Sequence, residues 1–142
     1  MKNKRNISVL DSFSEYPGLR HCAVSDDSGE EFYHKVLNKE FKDALDNNEI
    51  LIVNLDNTAG YAPSFLDEAF GNLVYDFSME TVKNNINIIS EEEPSWKDMI
   101  YEETFVQWED RRKSNEAPKI TGNHSEWYRL NANGELEYKT WN

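Results

Sequence analysis

A chain of 142 residues is long enough to bury a core as one domain without disulfide or metal support, and its single cysteine, Cys22, excludes an internal disulfide and suits a reducing compartment. A net charge of −12 and a pI near 4.6 exclude sequence-independent nucleic-acid binding, and no apolar run reaches the length of a membrane span. An aromatic content of 13% excludes a wholly disordered chain; a cytoplasmic protein with no direct nucleic-acid or membrane contact is expected.

The basic N-terminus is followed by an apolar stretch too short for a signal peptide, and residues 7–13 carry the composition of a first strand. The turn signal Glu15-Tyr16-Pro17-Gly18 lets residues 19–24 return as a second strand, giving an N-terminal hairpin. Ser28 and Glu31 then have capping-box spacing. Behind them Phe32, Val36, Leu37, Phe41, Ala44 and Leu45 recur at helical period up to about Asp46. Residues 50–55 are nearly all apolar and β-branched, the mark of a strand covered on both faces.

From Ser64 a second amphipathic helix carries Phe65, Leu66, Ala69, Phe70, Leu73, Val74 and Phe77 on one stripe. Asp67 and Glu68 fall in its first turn, where carboxylates complement the helix dipole. Gly71 inside this helix costs about 1 kcal/mol relative to alanine, so its use is close approach to a neighbouring element. Residues 86–89 form a further strand. Pro94 opens a third helix through Trp96, Met99, Ile100, Phe105 and Trp108, with Arg111, Arg112 and Lys113 at its end. Composition changes after Ser114. A polar linker leads to two alternating segments flanking Asn133-Gly134, a strong hairpin signal. An isolated hairpin is marginal in water, so Trp127, Tyr128, Tyr138 and Trp141 should dock on the main body. Strands alternating with amphipathic helices indicate an α/β domain.

The run Asp56-Asn57-Thr58-Ala59-Gly60-Tyr61-Ala62-Pro63-Ser64-Phe65-Leu66-Asp67-Glu68-Ala69-Phe70-Gly71 resembles the STAS-like family of unknown function, DUF4325. That family shows a hydrophobic strand, a loop, and a Ser-Phe-(Leu/Ala)-(Asp/Glu)-Glu-X-Phe-Gly helix. Tyr16-Pro17-Gly18-Leu19-Arg20 and Ser28-Gly29-Glu30-Glu31-Phe32 look like its upstream signatures, so the similarity runs from about Ile7 to about Arg112. Anti-anti-sigma factors of the wider STAS superfamily carry Asp-Ser-Ser-Gly after the strand, and their second serine is phosphorylated by a partner kinase. Ser64 stands at that serine, whereas Ala62, Pro63 and Phe65 replace the aspartate, first serine and glycine and remove the context such a kinase reads. The resemblance implies partnership with ATPases of the histidine-kinase type.

On the residues themselves, Ser64 reads as a helix cap at a terminus that favours negative charge. Asp67 and Glu68 point about a third of a turn apart and suit the dipole better than acid–base chemistry. Asp56, at the carboxyl end of the central strand, fits loop capping. His21, Cys22 and His34 have no metal-ligand spacing, and no sequence argument joins His124 to them. Neither a nucleophile elbow nor a glycine-rich phosphate loop is present. No catalytic residue, cofactor site or metal site is therefore expected.

The expected fold is a single STAS-like α/β domain over residues 1–115, a small mixed sheet with helices mainly on one side. A linker and C-terminal β-hairpin packed on it occupy residues 116–142. The expected function is a non-enzymatic regulatory protein–protein interaction module of partner-switching type. It binds through the loop 57–64 and the start of the following helix, with Tyr61, Ser64, Phe65, Asp67 and Glu68 as contact residues and Ser64 as the candidate phosphorylation or switch position. The partner implied by the resemblance is a histidine-kinase-like ATPase. The alternative is an acidic inhibitor, a DNA mimic that blocks a nucleic-acid-binding target.

Overall fold

The computed structural model describes residues 2–141; Met1 and Asn142, the outer ends of the two expected units, lie outside them. Three parallel strands, β1 (Asn3–Ser8), β2 (Glu49–Asn54) and β3 (Ile86–Ile89), form one sheet in the order β1-β2-β3. Ile7 pairs with Val53, and Val53 with Ile88, so Leu51, Val53, Ile86 and Ile88 share the face that enters the hydrophobic core. Helix α3 (Asn38–Asp46) packs on β2, and Arg5 joins it to the edge strand through Glu40 at 3.1 Å and Glu49 at 2.9 Å. The fold class is α/β as expected, but the main sheet is parallel throughout.

The expected N-terminal hairpin does not form. Ser8 ends β1 by capping a single helical turn, α1 (Val9–Ser12), its Oγ accepting the Asp11 N–H at 3.0 Å. Residues 19–24 pair with no strand. The whole segment 13–28 is an irregular strap whose backbone is held by turns and side chains, among them Leu19 N–H to Ser25 Oγ at 2.7 Å.

The capping expectation at Ser28 holds: its Oγ accepts the Glu31 N–H at 3.1 Å and opens α2 (Gly29–Phe32). A π-turn over Tyr33–Leu37 carries this helix into α3. Helix α4 (Pro63–Phe77) is the central core helix, followed by the short α5 (Met79–Asn85) before β3. Helices α6 (Pro94–Met99) and α7 (Phe105–Lys113) are joined by a second π-turn, Ile100–Thr104, and α7 packs on α4. At the crossing Gly71 meets Trp108, with a Cβ on Gly71 falling only 2.1 Å from the indole. The close approach expected of that glycine is realised.

The C-terminal hairpin, β4 (Trp127–Leu130) and β5 (Leu136–Lys139), is antiparallel and docks on α3 and α4. Asn38 acts as a substitute strand, accepting the Tyr128 N–H and donating to the Tyr128 carbonyl, both at 2.9 Å. Arg129 Nε reaches buried Asp76 at 2.7 Å, and Tyr33 donates its hydroxyl to the same carboxylate. Burial pushes the Asp76 carboxyl up to about 6 against the opposing pull of Arg129. No helix among the described residues is long and apolar enough to cross a membrane.

Candidate functional site

All three parallel strands end on one side of the sheet, where open α/β folds place their ligands. The loops that leave β2 and β3 meet there. Asp56 accepts the N–H groups of Glu91 and Glu92, each at 3.0 Å, and the Asn57 N–H donates to Glu92 Oε1 at 2.6 Å. Asp56 is thus the loop cap its position suggested. The strap joins the group through the Ala59 N–H, which donates to the Glu15 carbonyl at 2.8 Å. Exposed Asn57, Ala59 and Gly60 cross the tip, with Gly60 at φ +123°, a value that a side chain would strain.

The structure places the five expected contact residues unequally. Ser64 is half-buried and is the second residue of α4; Ala62, in extended conformation, is the cap residue, and no side chain caps the helix. Pro63 fits the first helical position, where its missing N–H costs nothing, and this puts the serine two residues beyond the cap. Tyr61 braces the loop from within, its hydroxyl donating to the Leu55 carbonyl at 2.6 Å and its ring tilted on Phe65. Burial pushes the Tyr61 phenol up to about 12.

Phe65 is fully buried, stacked on Phe32 and near Phe13. Its apolar ring fills the core, so it presents nothing to a partner. Glu68 is also buried, accepting from Asn72 Nδ2 at 2.9 Å. Arg20 of the strap reaches both acids, at 2.7 Å from Asp67 and 3.0 Å from Glu68. With Pro63 as the first helical residue, Asp67 and Glu68 fall in the second turn of α4 and not in the first, where the sequence placed them. Paired with Arg20, they do not form the free acidic rim expected of them.

What faces outward instead is a different set. Tyr16 and Leu19 of the strap are 68% and 48% exposed, and Tyr16 follows Glu15, whose carbonyl holds the Ala59 N–H of loop 57–60. Glu91, Glu92 and Glu93 are exposed on its other side. Tyr16 lies in a turn signal and Leu19 opens the stretch expected to be a second strand, and the three glutamates read as a solvated helix start. Their convergence depends on the parallel strand order, which no local pattern encodes.

A second cluster forms where the strap, α2 and the linker meet. Glu30 is buried and accepts the N–H groups of Cys22 at 3.1 Å, Thr121 at 2.9 Å and Gly122 at 3.0 Å, together with the Thr121 hydroxyl. His124 Nε2 lies 2.7 Å from the same carboxylate. Burial pushes the Glu30 carboxyl up, but these hydrogen bonds from Thr121, His124 and Cys22 outweigh it and hold the pKa at about 2. The ring of His34 stacks on that of His124 with centroids 4.1 Å apart. Two of the three histidines and the cysteine, which no sequence argument connected, are thus neighbours. His21 stands apart, 3.6 Å from Glu68.

No curated protein and no solved structure matches this chain. The family match is confined to residues 28–96; it takes in the loop 57–64 and the start of α4 but not Tyr16–Arg20, α7 or the hairpin. Residues 28–96, just under half of the chain, match the family described as a STAS-like domain of unknown function, DUF4325.

Proposed function

We propose that this chain is a non-enzymatic regulatory module of the partner-switching type, which binds another protein at the carboxyl end of its parallel sheet. The contact surface combines Tyr16 and Leu19 of the strap, the tip of loop 57–60, Tyr61 and the first turn of α4 at Ser64, rimmed by Glu91, Glu92 and Glu93. The observation that supports this best is the exposed Tyr16, next in the chain to Glu15, whose carbonyl holds the exposed loop, at the ligand end of a STAS-like sheet. The rim and the overall charge of −12 favour a basic face on the partner. A histidine-kinase-like ATPase suits the family resemblance, and ATP then belongs to that partner. Ser64 is the switch position: a phosphate there adds roughly two negative charges within the first turn of α4, altering the charge that the partner meets.

The test is affinity capture from the native cytoplasm with wild type, Ser64→Asp and a Tyr16→Ala/Leu19→Ala double variant, read by mass spectrometry for partners and for phosphate on Ser64. An ATPase held by wild type and lost by the double variant is expected, with Ser64→Asp weakened. Full retention by the double variant would overturn the assigned surface. Recovery of a nucleic-acid enzyme whose binding collapses with salt would favour the acidic-inhibitor reading instead.

A further inference from the structure

We propose that Cys22, Glu30 and His124 form a binding site for a divalent metal ion of the zinc class. Cys22 Sγ, a Glu30 carboxylate oxygen and an imidazole nitrogen of His124 all lie within 4.8 Å of one another. Ligand atoms around tetrahedral zinc stand roughly 3.3–3.8 Å apart, given bonds of about 2.0–2.3 Å. Small side-chain rotations close that difference. The donor set itself selects the metal: a thiol and an imidazole are too soft for magnesium or calcium, and their combination with one carboxylate is typical of zinc.

An independent observation points to the same place. Both ring nitrogens of His34 are buried with no hydrogen-bond partner. Such orphans are rare in folded proteins and usually mark an ion or a water that meets them. His34 lines a cavity of about 470 Å³ together with Cys22 and His124, so the orphaned ring shares that cavity with two of the three donors. Three protein ligands leave a fourth tetrahedral position for a water from that cavity, and the ring stacked on the His124 ligand is that of His34, whose nitrogens are buried without a partner.

The surroundings are those of a supported site. The Cys22, Thr121 and Gly122 N–H groups fix the Glu30 carboxylate, as outer hydrogen bonds orient metal-bound carboxylates. The metal replaces the direct His124–Glu30 contact with two coordinate bonds, the proton that Nε2 donated to Glu30 passing to Nδ1 as the imidazole changes tautomer, and coordination releases the Cys22 thiol proton to water. The ion would then staple three segments, strap, α2 and linker, of which strap and α2 already share the Gly29 and Glu30 N–H bonds to the Leu19 and Arg20 carbonyls.

The experiment uses the full chain, stripped with a chelator and titrated with Co²⁺ and then Zn²⁺. Expected are 1:1 binding, a thiolate-to-cobalt charge-transfer band, displacement by Zn²⁺, and a rise in Tm with Zn²⁺. Cys22→Ser should abolish the band, His124→Ala should weaken binding at least about 100-fold, and His34→Phe should weaken it about 10-fold or more with the band retained. Glu30 variants can fail to fold, so the argument rests on these three, each checked by circular dichroism. No thiolate band in wild type, or equal affinity in wild type and all three variants, would overturn the proposal.

Discussion

Replacing Gly71 by alanine sets two calculable effects against each other. An alanine inside a helix is worth about 1 kcal/mol over glycine from backbone entropy alone, which at an open position would stabilise the fold. At Gly71 the new methyl would lie 2.1 Å from Trp108 Cε2 and 2.2 Å from Nε1. Trp108 cannot step aside, because it is buried and its other face carries the Arg111 guanidinium, 4.0 Å from the ring centroid. Relief requires α7 to move off α4 by more than an ångström. Overpacking of this kind costs typically 1–3 kcal/mol and sometimes more. With contacts as close as 2.1 Å the upper end of that range applies. Against the gain of about 1 kcal/mol, a net loss of about 2 kcal/mol is expected, a fall in Tm of roughly 4–10 °C for a chain of this size. Urea denaturation at 25 °C reads the free energy directly, with an unchanged m-value required for a two-state comparison. Trp108→Phe in the Gly71→Ala background removes part of the clash, so the double variant should lose less than the sum of the singles. A Gly71→Ala protein as stable as wild type, or more so, would refute the reasoning.

Asp76 titrates inside the fold at about 6, against an ordinary aspartate value of 3.8; between these values the folded state keeps a proton that the unfolded chain has released. Stability contributed by this group is therefore present below pH 4 and lost as pH rises through 6, by at most about 3 kcal/mol. Comparing wild type with Asp76→Asn at pH 4, 5 and 6.5 isolates it, and a flat difference would rule out the raised pKa. Arg129→Ala leaves the buried Asp76 carboxylate without its cation, a loss of about 3 kcal/mol, and hydrogen exchange at the Tyr128 amide and the Trp141 indole N–H should rise ahead of the sheet. Ser28→Ala should cost about 1 kcal/mol because its Oγ caps α2, whereas Ser64→Ala, which caps nothing, should stay within about 0.5 kcal/mol; equal denaturant midpoints for the two would contradict these assignments. Arg20→Ala frees Asp67 and leaves Glu68 buried without its cation, so amides 15–24 should exchange faster while β2 keeps its protection.

Where periodicity is strong, local pattern and tertiary structure agree. The stripe from Phe32 to Leu45, the apolar run of β2 and the helix from Phe65 to Phe77 are buried where their patterns place them, and the Asn-Gly hairpin forms and buries Trp127, although Tyr138 stays 52% exposed. The N-terminus departs from its pattern for a physical reason. β1 is an edge strand of mostly polar residues, Asn3-Lys4-Arg5-Asn6, half exposed, so the apolar pattern begins only where the strand is ending. The cue that stops it, Ser8 three residues before Asp11, is the same capping signal that works at Ser28. Residues 19–24 carry strand-forming side chains but find no neighbouring edge, and their backbone groups go to turns instead. Helix α5 buries little beyond Val82 and Asn85 and follows Ser78 at φ +78°, so it has almost no sequence signature. The chemistry is the least legible of all. Glu30 meets Thr121 and His124 across more than ninety residues, and such a contact exists only once the linker has folded back over α2.

The strap over residues 13–28 decides how the two clusters relate. It has no ladder of its own, so its order is borrowed: Phe13 from Phe32 and Phe65, Glu15 from Ala59, Arg20 from Asp67 and Glu68, Cys22 from Glu30, and Ala23 from Thr121. Each of these supports holds one or two residues, and segments held in this way open at a fraction of the global unfolding free energy. Tyr16 and Leu19 therefore sit on the part of the surface whose shape is cheapest to change. Cys22 lies only three residues beyond Leu19, with Arg20 clamped between them to the second turn of α4. A ligand that fixed Cys22 against Glu30 and His124 would reduce the freedom of Tyr16 and Leu19 before any partner arrived. The partner would then meet a surface already ordered and bind more tightly, which is coupling through lost entropy and needs no displacement of the sheet.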